Sequence, residues 1–347
     1  MKRVLLTLVT LMTFSAGFAQ IVAIDNEMSK VMKKANKGDV DAMYRISMAF
    51  YNKRIRTNER MKMFYIWTKK AAEAGHAEAM GNLGTLYSEG VEEANVAADA
   101  AEAFKWYRKG AEAGSTLAMF NYGACLHDGT GCQVNYDEGF RWMKKAYDSN
   151  DPDIRDDAQY ALAFCYLNGE GVEQNYVEGF KLMKGVAEKG ENARAMNVLG
   201  GLYYNGRVTE KNLTEAFKWY REAADHDIVN SIYMVGKCYQ NGEGVQQDLN
   251  EAVEWYERAV EKNNPYAAEA LGEMYYKGEG VTKDYDKAFT LLKMAAESGK
   301  GLGKAMRLLS ACYRYGLGTA QDEAKDKYWL EKAAQYDDEA KKMLESK

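Results

Sequence analysis

Residues able to carry chemistry are few in this chain and poorly spaced for it. It has five cysteines and three histidines in 347 residues. Nucleophilic catalysis needs a Ser, Cys or Thr beside a base, and a third group to orient that base. His76, His127 and His226 stand in no such grouping. Cys125, His127 and Cys132 come nearest to a metal site, being ligand types that zinc takes. A fourth ligand is missing, and a helical period turns Cys125 and His127 to opposite sides. The 51 carboxylates contain no pair set apart by its spacing. Residues 242–245 and 278–281 both read Gly-Glu-Gly-Val. They lack the preceding strand and the following lysine that make a phosphate cradle. The sequence therefore predicts no catalytic, cofactor-binding or metal-binding residue.

The elements that carry these residues are copies of one another. Residues 195–224 read as two short helices joined by a turn. Within them Gly200 is preceded by Ala195 and followed by Tyr203, Gly206 and Trp219. The same frame recurs around positions 47, 84, 123, 163, 200, 236, 272 and 310, at steps of 36 to 40 residues. Ala163, Ser47 and Ser310 replace the glycine in three copies. A period of this size marks a solenoid whose units bury their apolar faces against their neighbours. All six tryptophans (Trp67, Trp106, Trp142, Trp219, Trp255 and Trp329) fall in one column, which Leu182 and Leu291 complete. Large rings there are expected to close the core between the helices. The insertion after Gly90 lengthens the loop of the second copy, so Trp106 follows that glycine by 16 residues instead of 13.

Cys125, Cys165, Cys238 and Cys312 share the column two residues past the frame position, where they read as small buried hydrophobes. Stacked helices lie about 8–10 Å apart, and a disulfide needs Cα atoms within ~7 Å. Pairing along the column is therefore not expected, whereas a Cys125–Cys132 bridge is left open.

At 100° per residue, Ala195, Met196, Leu199, Leu202 and Tyr203 of the first helix (helix A) share one face. Gly206 suits the left-handed residue that ends a helix. Helix B turns Ala216, Phe217, Trp219, Tyr220, Ala223 and Ala224 inward. The face of helix A opposite the core stripe ought to be polar. Instead it holds Tyr44, Phe120, Tyr160 and Tyr233 at one position, Phe164 at a second, and Tyr51, His127, Tyr204, Tyr276 and Arg314 at a third. A row of rings on a partly wet face is a candidate binding surface. The competing reading is that the rings pack against adjacent helices. Tyr160, Tyr204 and Tyr233 lie on three successive helices A, so the first reading allows one extended segment to touch all three.

The pattern Ala, Leu-Gly-x-Leu-Tyr, Gly-x-Gly-Val, Ala-x-x-Trp-Tyr-x-x-Ala-Ala resembles Sel1-like repeats, relatives of tetratricopeptide repeats, over roughly residues 41–335. The resemblance implies an all-α, right-handed superhelical solenoid of about eight α/α repeats with half-repeat caps. It also implies that helix A lines a concave surface and that the chain is a scaffold or adaptor for protein or peptide partners. One exported branch of the family joins helix B to the next helix A by a disulfide in each repeat and is linked to β-lactams. Here Ala72, Ala111, Ala224 and Ala296 occupy the end of helix B, which speaks against that chemistry. A cell-wall or β-lactam enzyme and a carbohydrate-binding module, whose rings would stack on sugars, are the alternatives on the same scaffold.

Residues 1–19 open with Lys2-Arg3, continue apolar through 4–14 and end Gly17-Phe18-Ala19. This is the form of a secretory leader cleaved after Ala19, too short in its apolar run to span a bilayer. The expectation is an exported chain, periplasmic or secreted, with no membrane span once mature and a single repeat domain over 20–347. The net charge of −5 falls to −7 with the loss of Lys2 and Arg3, and an acidic chain is a poor partner for nucleic acid. Both prolines, Pro152 and Pro265, fall between repeats. Residues 25–36 read as a lone helix with Asp25 as its cap, and residues 339–347 as an unpaired helix A. Such half-repeats cover the exposed ends of a solenoid.

Overall fold

The computed structural model describes residues 26–51, 57–208 and 210–345. The leader, its cleavage point and Asp25 lie outside the described residues. Eighteen α-helices occupy the described chain. The first, α1 (Asn26–Ala35), is a lone helix. The helices A are α2 (Val40–Phe50), α4 (Ala77–Glu89), α6 (Thr116–Asp128), α8 (Arg155–Asn168), α10 (Ala193–Asn205), α12 (Val229–Asn241), α14 (Pro265–Lys277) and α16 (Gly303–Tyr315). The helices B are α3 (Asn58–Glu73), α5 (Ala100–Glu112), α7 (Tyr136–Asp148), α9 (Tyr176–Ala187), α11 (Leu213–Asp225), α13 (Leu249–Glu261), α15 (Tyr285–Glu297) and α17 (Glu323–Ala333). The last, α18 (Asp338–Glu345), is again unpaired. Among the described residues the only β pairing is an isolated bridge, Val91 to Val96. It closes the long second loop around a 3-10 turn at Glu92–Ala94.

Local chemistry starts and stops these helices as the repeat predicts. Asp99, Asn135, Asn212, Asp248, Asp284 and Asp322 cap helices B, each accepting a backbone N–H of the first turn. Gly129, Gly169, Gly206, Gly242, Gly278 and Gly316 end helices A in the left-handed region. Gly90 also ends its helix, but at ψ 163°, where the longer loop departs in another direction. The start of α16 lacks a side-chain cap of its own. Glu269 of α14 supplies one from the preceding repeat, accepting from the Ala305 N–H at 2.9 Å.

The described chain forms two compact units, divided between Asn175 and Tyr176. In the second unit one apolar cluster runs from Ala216 to Ala340. In the first, smaller clusters gather around Ile46, Leu83, Tyr122 and Ala158. Both caps contribute: Val31 and Ala35 of α1 are buried, and so is Ala340 of α18.

Contact inside a repeat rests on one recurring fit. The frame glycine of helix A receives the side chain that follows the tryptophan column on helix B. A Cβ at Gly84 would lie 2.5 Å from the Tyr107 ring, and at Gly200 and Gly236 it would lie 2.8 Å from Tyr220 and Tyr256. Real Cβ atoms do not approach so closely, so the glycine is what lets the ring lie on the helix backbone. Where serine stands in the frame, the partner changes with it: Ser47 shares a buried 2.7 Å hydrogen bond with Thr68. The second glycine of each Gly-x-Gly turn joins repeats instead. Gly244, at φ +76°, sits so close to the preceding helix B that a Cβ would be 2.0 Å from the Leu213 carbonyl oxygen.

The tryptophan column is a buried one, with a refinement. Trp67, Trp106, Trp219, Trp255 and Trp329 are buried, but Trp142 is only half-buried. The rings lie near enough to the surface for cations to cover them. Lys70, Lys109 and Lys145 stand 4.5, 4.3 and 3.9 Å from the rings of Trp67, Trp106 and Trp142. A cation over an indole face adds about 0.5–1 kcal/mol when exposed.

Candidate functional site

All ten side chains predicted to face away from the core are half-buried; none is fully buried and none exposed. Within the first unit, Tyr44 stacks on His76 with centroids 4.1 Å apart, and Tyr51 lies 5.0 Å from Phe64. Phe120 packs beside Ala146, Ile154 and Ala158. Tyr160 and Phe164 meet edge to face at 5.0 Å. Within the second unit, Tyr233 stacks on Tyr256 and touches Tyr266, both at 5.9 Å. Tyr276 lies 5.6 Å from Tyr285. Successive helices A do touch, as α4 does α6 and α14 does α16. Tyr51 and Tyr276 meet rings of their own helix B, whereas Tyr44 reaches His76, the cap of the next helix A, and Tyr233 reaches Tyr266 on the next helix A.

Polar partners hold several of them. His127 sits between two carboxylates, Nδ1 2.7 Å from Asp128 and Nε2 2.8 Å from Glu170. The Tyr204 hydroxyl donates to Glu243 at 2.9 Å, while Lys211 and Lys237 stand 5.1 and 5.2 Å from its ring. Arg314 makes two bonds to the buried carboxylate of Asp326, which also binds Ser310. Glu170 and Glu243 occupy the same place in the turns of the fourth and sixth repeats, seven residues past their own frame positions. Each reaches back to the preceding repeat. Sequence reasoning missed these partners, although their signal was present: the Glu of Gly-Glu-Gly-Val lies one repeat beyond the residue it binds.

The electrostatics of the face are set by desolvation. Burial raises the pKa of Tyr44, Tyr204, Tyr233 and Tyr276 above the usual phenol value. For His127, burial alone would lower the pKa, but the bonds to Asp128 and Glu170 outweigh it, and the net shift is upward.

The thiols are all free. Cys125, Cys165, Cys238 and Cys312 are buried, as their column predicts. Burial pushes Cys165 and Cys238 up to about 12 and Cys125 and Cys312 up to about 11. Thiolate, the reactive form, is therefore scarce at neutral pH. Cys132 is not bridged to Cys125; its Sγ donates to the Cys125 carbonyl oxygen at 3.3 Å. Among the described residues no three His, Cys, Asp or Glu side chains converge to hold a metal ion. No described helix is long and apolar enough to cross a membrane.

Comparison with known proteins gives these repeats their family. The Sel1 repeat family matches residues 65–76, 77–115, 116–151, 156–190, 193–227, 229–264, 265–300 and 303–335. The first copy is matched only over the later part of its helix B and the turn that follows. A crystal structure of a protective antigen from uropathogenic Escherichia coli, described as displaying an SLR fold, is 27% identical with a TM-score of 0.73. The alignment covers 90% of this chain but only 65% of that one. A Sel1 repeat protein from Oxalobacter formigenes is 25% identical with a TM-score of 0.64, over 95% of this chain and 92% of that one. No curated protein matches. Eight matched segments, the helix pairs that carry them and the two similar structures agree: this chain belongs to the Sel1 repeat family, whose members are typically protein-interaction scaffolds.

Proposed function

We propose that the chain is an exported, non-enzymatic scaffold that binds protein or peptide partners through the helix-A face. The leader at 1–19 sends it to the periplasm or medium, and residues 20–347 act as one continuous repeat domain. The observation that carries the binding reading is the half-burial of all ten predicted side chains. Packed core would cover them and ordinary surface would leave them free. Rings held on one side by their own and neighbouring repeats and wet on the other keep area for a partner, at small entropic cost because their rotamers are already fixed. One of the similar structures is of a protein described as a protective antigen, which is in keeping with export.

The test is affinity capture from an envelope extract, read by mass spectrometry, with the mature chain and its Tyr204→Ala/Tyr233→Ala variant. A partner enriched by the first and lost by the second is expected, since an anchoring ring contributes about 1–3 kcal/mol. The variant should also lose about 1–2 kcal/mol of stability for its two half-buried rings. Retention of every partner by a folded variant would move the binding surface elsewhere.

A further inference from the structure

The seventh repeat, like the fourth, has leucine where the other six have tryptophan, and at the seventh the space is open. Leu291 stands where Trp255 stands one repeat earlier, 36 residues before. In the sixth repeat the Trp255 ring lies between α11 and α13. Arg221 covers it at 4.6 Å and Arg258 at 4.9 Å, and its Nε1 donates to Glu251 at 3.1 Å. Moving each of these positions on by 36 residues gives Leu291 for the ring, Glu257 and Met294 for the two guanidinium groups, and Lys287 for Glu251. The indole and both of its cations are thus absent together. A groove of about 510 Å³ remains there, lined by Leu291, Tyr275, Glu257, Glu261, Asp286 and Lys287, among others. Tyr275 is buried and forms part of its floor, and its hydroxyl donates to Glu257 at 3.2 Å. Lys287 also turns to that tyrosine, its Nζ 3.3 Å from the hydroxyl oxygen. Three carboxylates against one ammonium leave the rim acidic.

We propose that this groove takes an indole side chain from a partner peptide, with a lysine or arginine three residues further on. The chain itself shows what such a groove accepts. Its own helices B carry Trp-x-x-Lys or Trp-x-x-Arg at Trp67, Trp106, Trp142, Trp255 and Trp329, and the cation covers the ring in each case. The partner's indole replaces the missing ring. Its cation meets Glu257 and Glu261, where the sixth repeat has Arg221 and Asp225. This site is separate from the helix-A face and does not rest on it.

The experiment uses the mature full-length chain and a dye-labelled, alanine-rich helical peptide bearing one Trp-x-x-Lys, read by fluorescence anisotropy. Saturable binding is expected, at least tenfold weaker when the peptide's Trp is replaced by Ala or its Lys by Glu. These peptide changes leave the protein untouched, so they decide the matter whatever a protein variant does. Leu291→Trp should fill the groove from within, abolish binding and raise the Tm by about 2–4 °C. Glu257→Gln/Glu261→Gln should weaken binding and flatten its dependence on salt. Tyr204→Ala/Tyr233→Ala should leave it unchanged. Equal affinity for the Lys→Glu peptide, undiminished binding to folded Leu291→Trp, or loss on the helix-A face would each overturn the proposal.

Discussion

His127, which the sequence places on the candidate binding face, is held there by its own neighbours. With both ring nitrogens against carboxylates, its protonated form is favoured in the folded state. A histidine whose folded pKa is raised contributes stability that is fully present below its unfolded pKa of ~6.5 and is lost as pH rises through the folded value. The stability gap between the natural chain and His127→Gln should accordingly shrink as pH rises above ~6.5. Proton NMR of the imidazole gives the direct check, and a pKa at or below ~6.5 would refute it. The frame glycines make a second prediction at this scale. Gly236→Ala must push a methyl into the Tyr256 ring, and such overpacking costs about 1–3 kcal/mol. Denaturant unfolding should show that loss, whereas Gly38→Ala, whose Cβ would meet nothing within 4 Å, is limited to backbone strain at its positive φ.

The helix pair is the unit that buries surface, and its weakest points are those the repeat pattern varies. Trp219 is buried on α11, and its Nε1 is buried without a hydrogen-bond partner. Most of its worth is therefore packing. Trp219→Ala should cost ~3–5 kcal/mol. Within the second unit, hydrogen-exchange protection should fall most in α10, α11 and α12, because a repeat is stabilised chiefly by its neighbours. Equal losses in α16 and α17 would contradict that locality. Arg314 argues the complementary case. The sequence marks it as a binding residue, yet its guanidinium is already engaged with buried Asp326, so its removal would strand a buried charge.

For the whole molecule, the reading of residues 1–19 as a cleaved leader predicts a mature chain that starts at Gln20, to be seen by intact mass or N-terminal sequencing of natively expressed protein. Recovery of the full-length chain alone would overturn export. The repeats are legible because eight copies record one environment, so Gly206, Trp219 and Ala223 are placed by column from the sequence alone. Periodicity fixes the direction a side chain takes around its own helix, and that was enough for helix pairs, turns and the buried thiols. It does not fix how far the next repeat covers that side chain. Tertiary structure alone decided that Glu170 reaches His127 across 43 residues, that Tyr256 lies on Gly236, that Trp142 is only half-covered and that Leu291 leaves a groove. Each depends on the distance between neighbouring helices and on which rotamer fills it, and packing between repeats sets both.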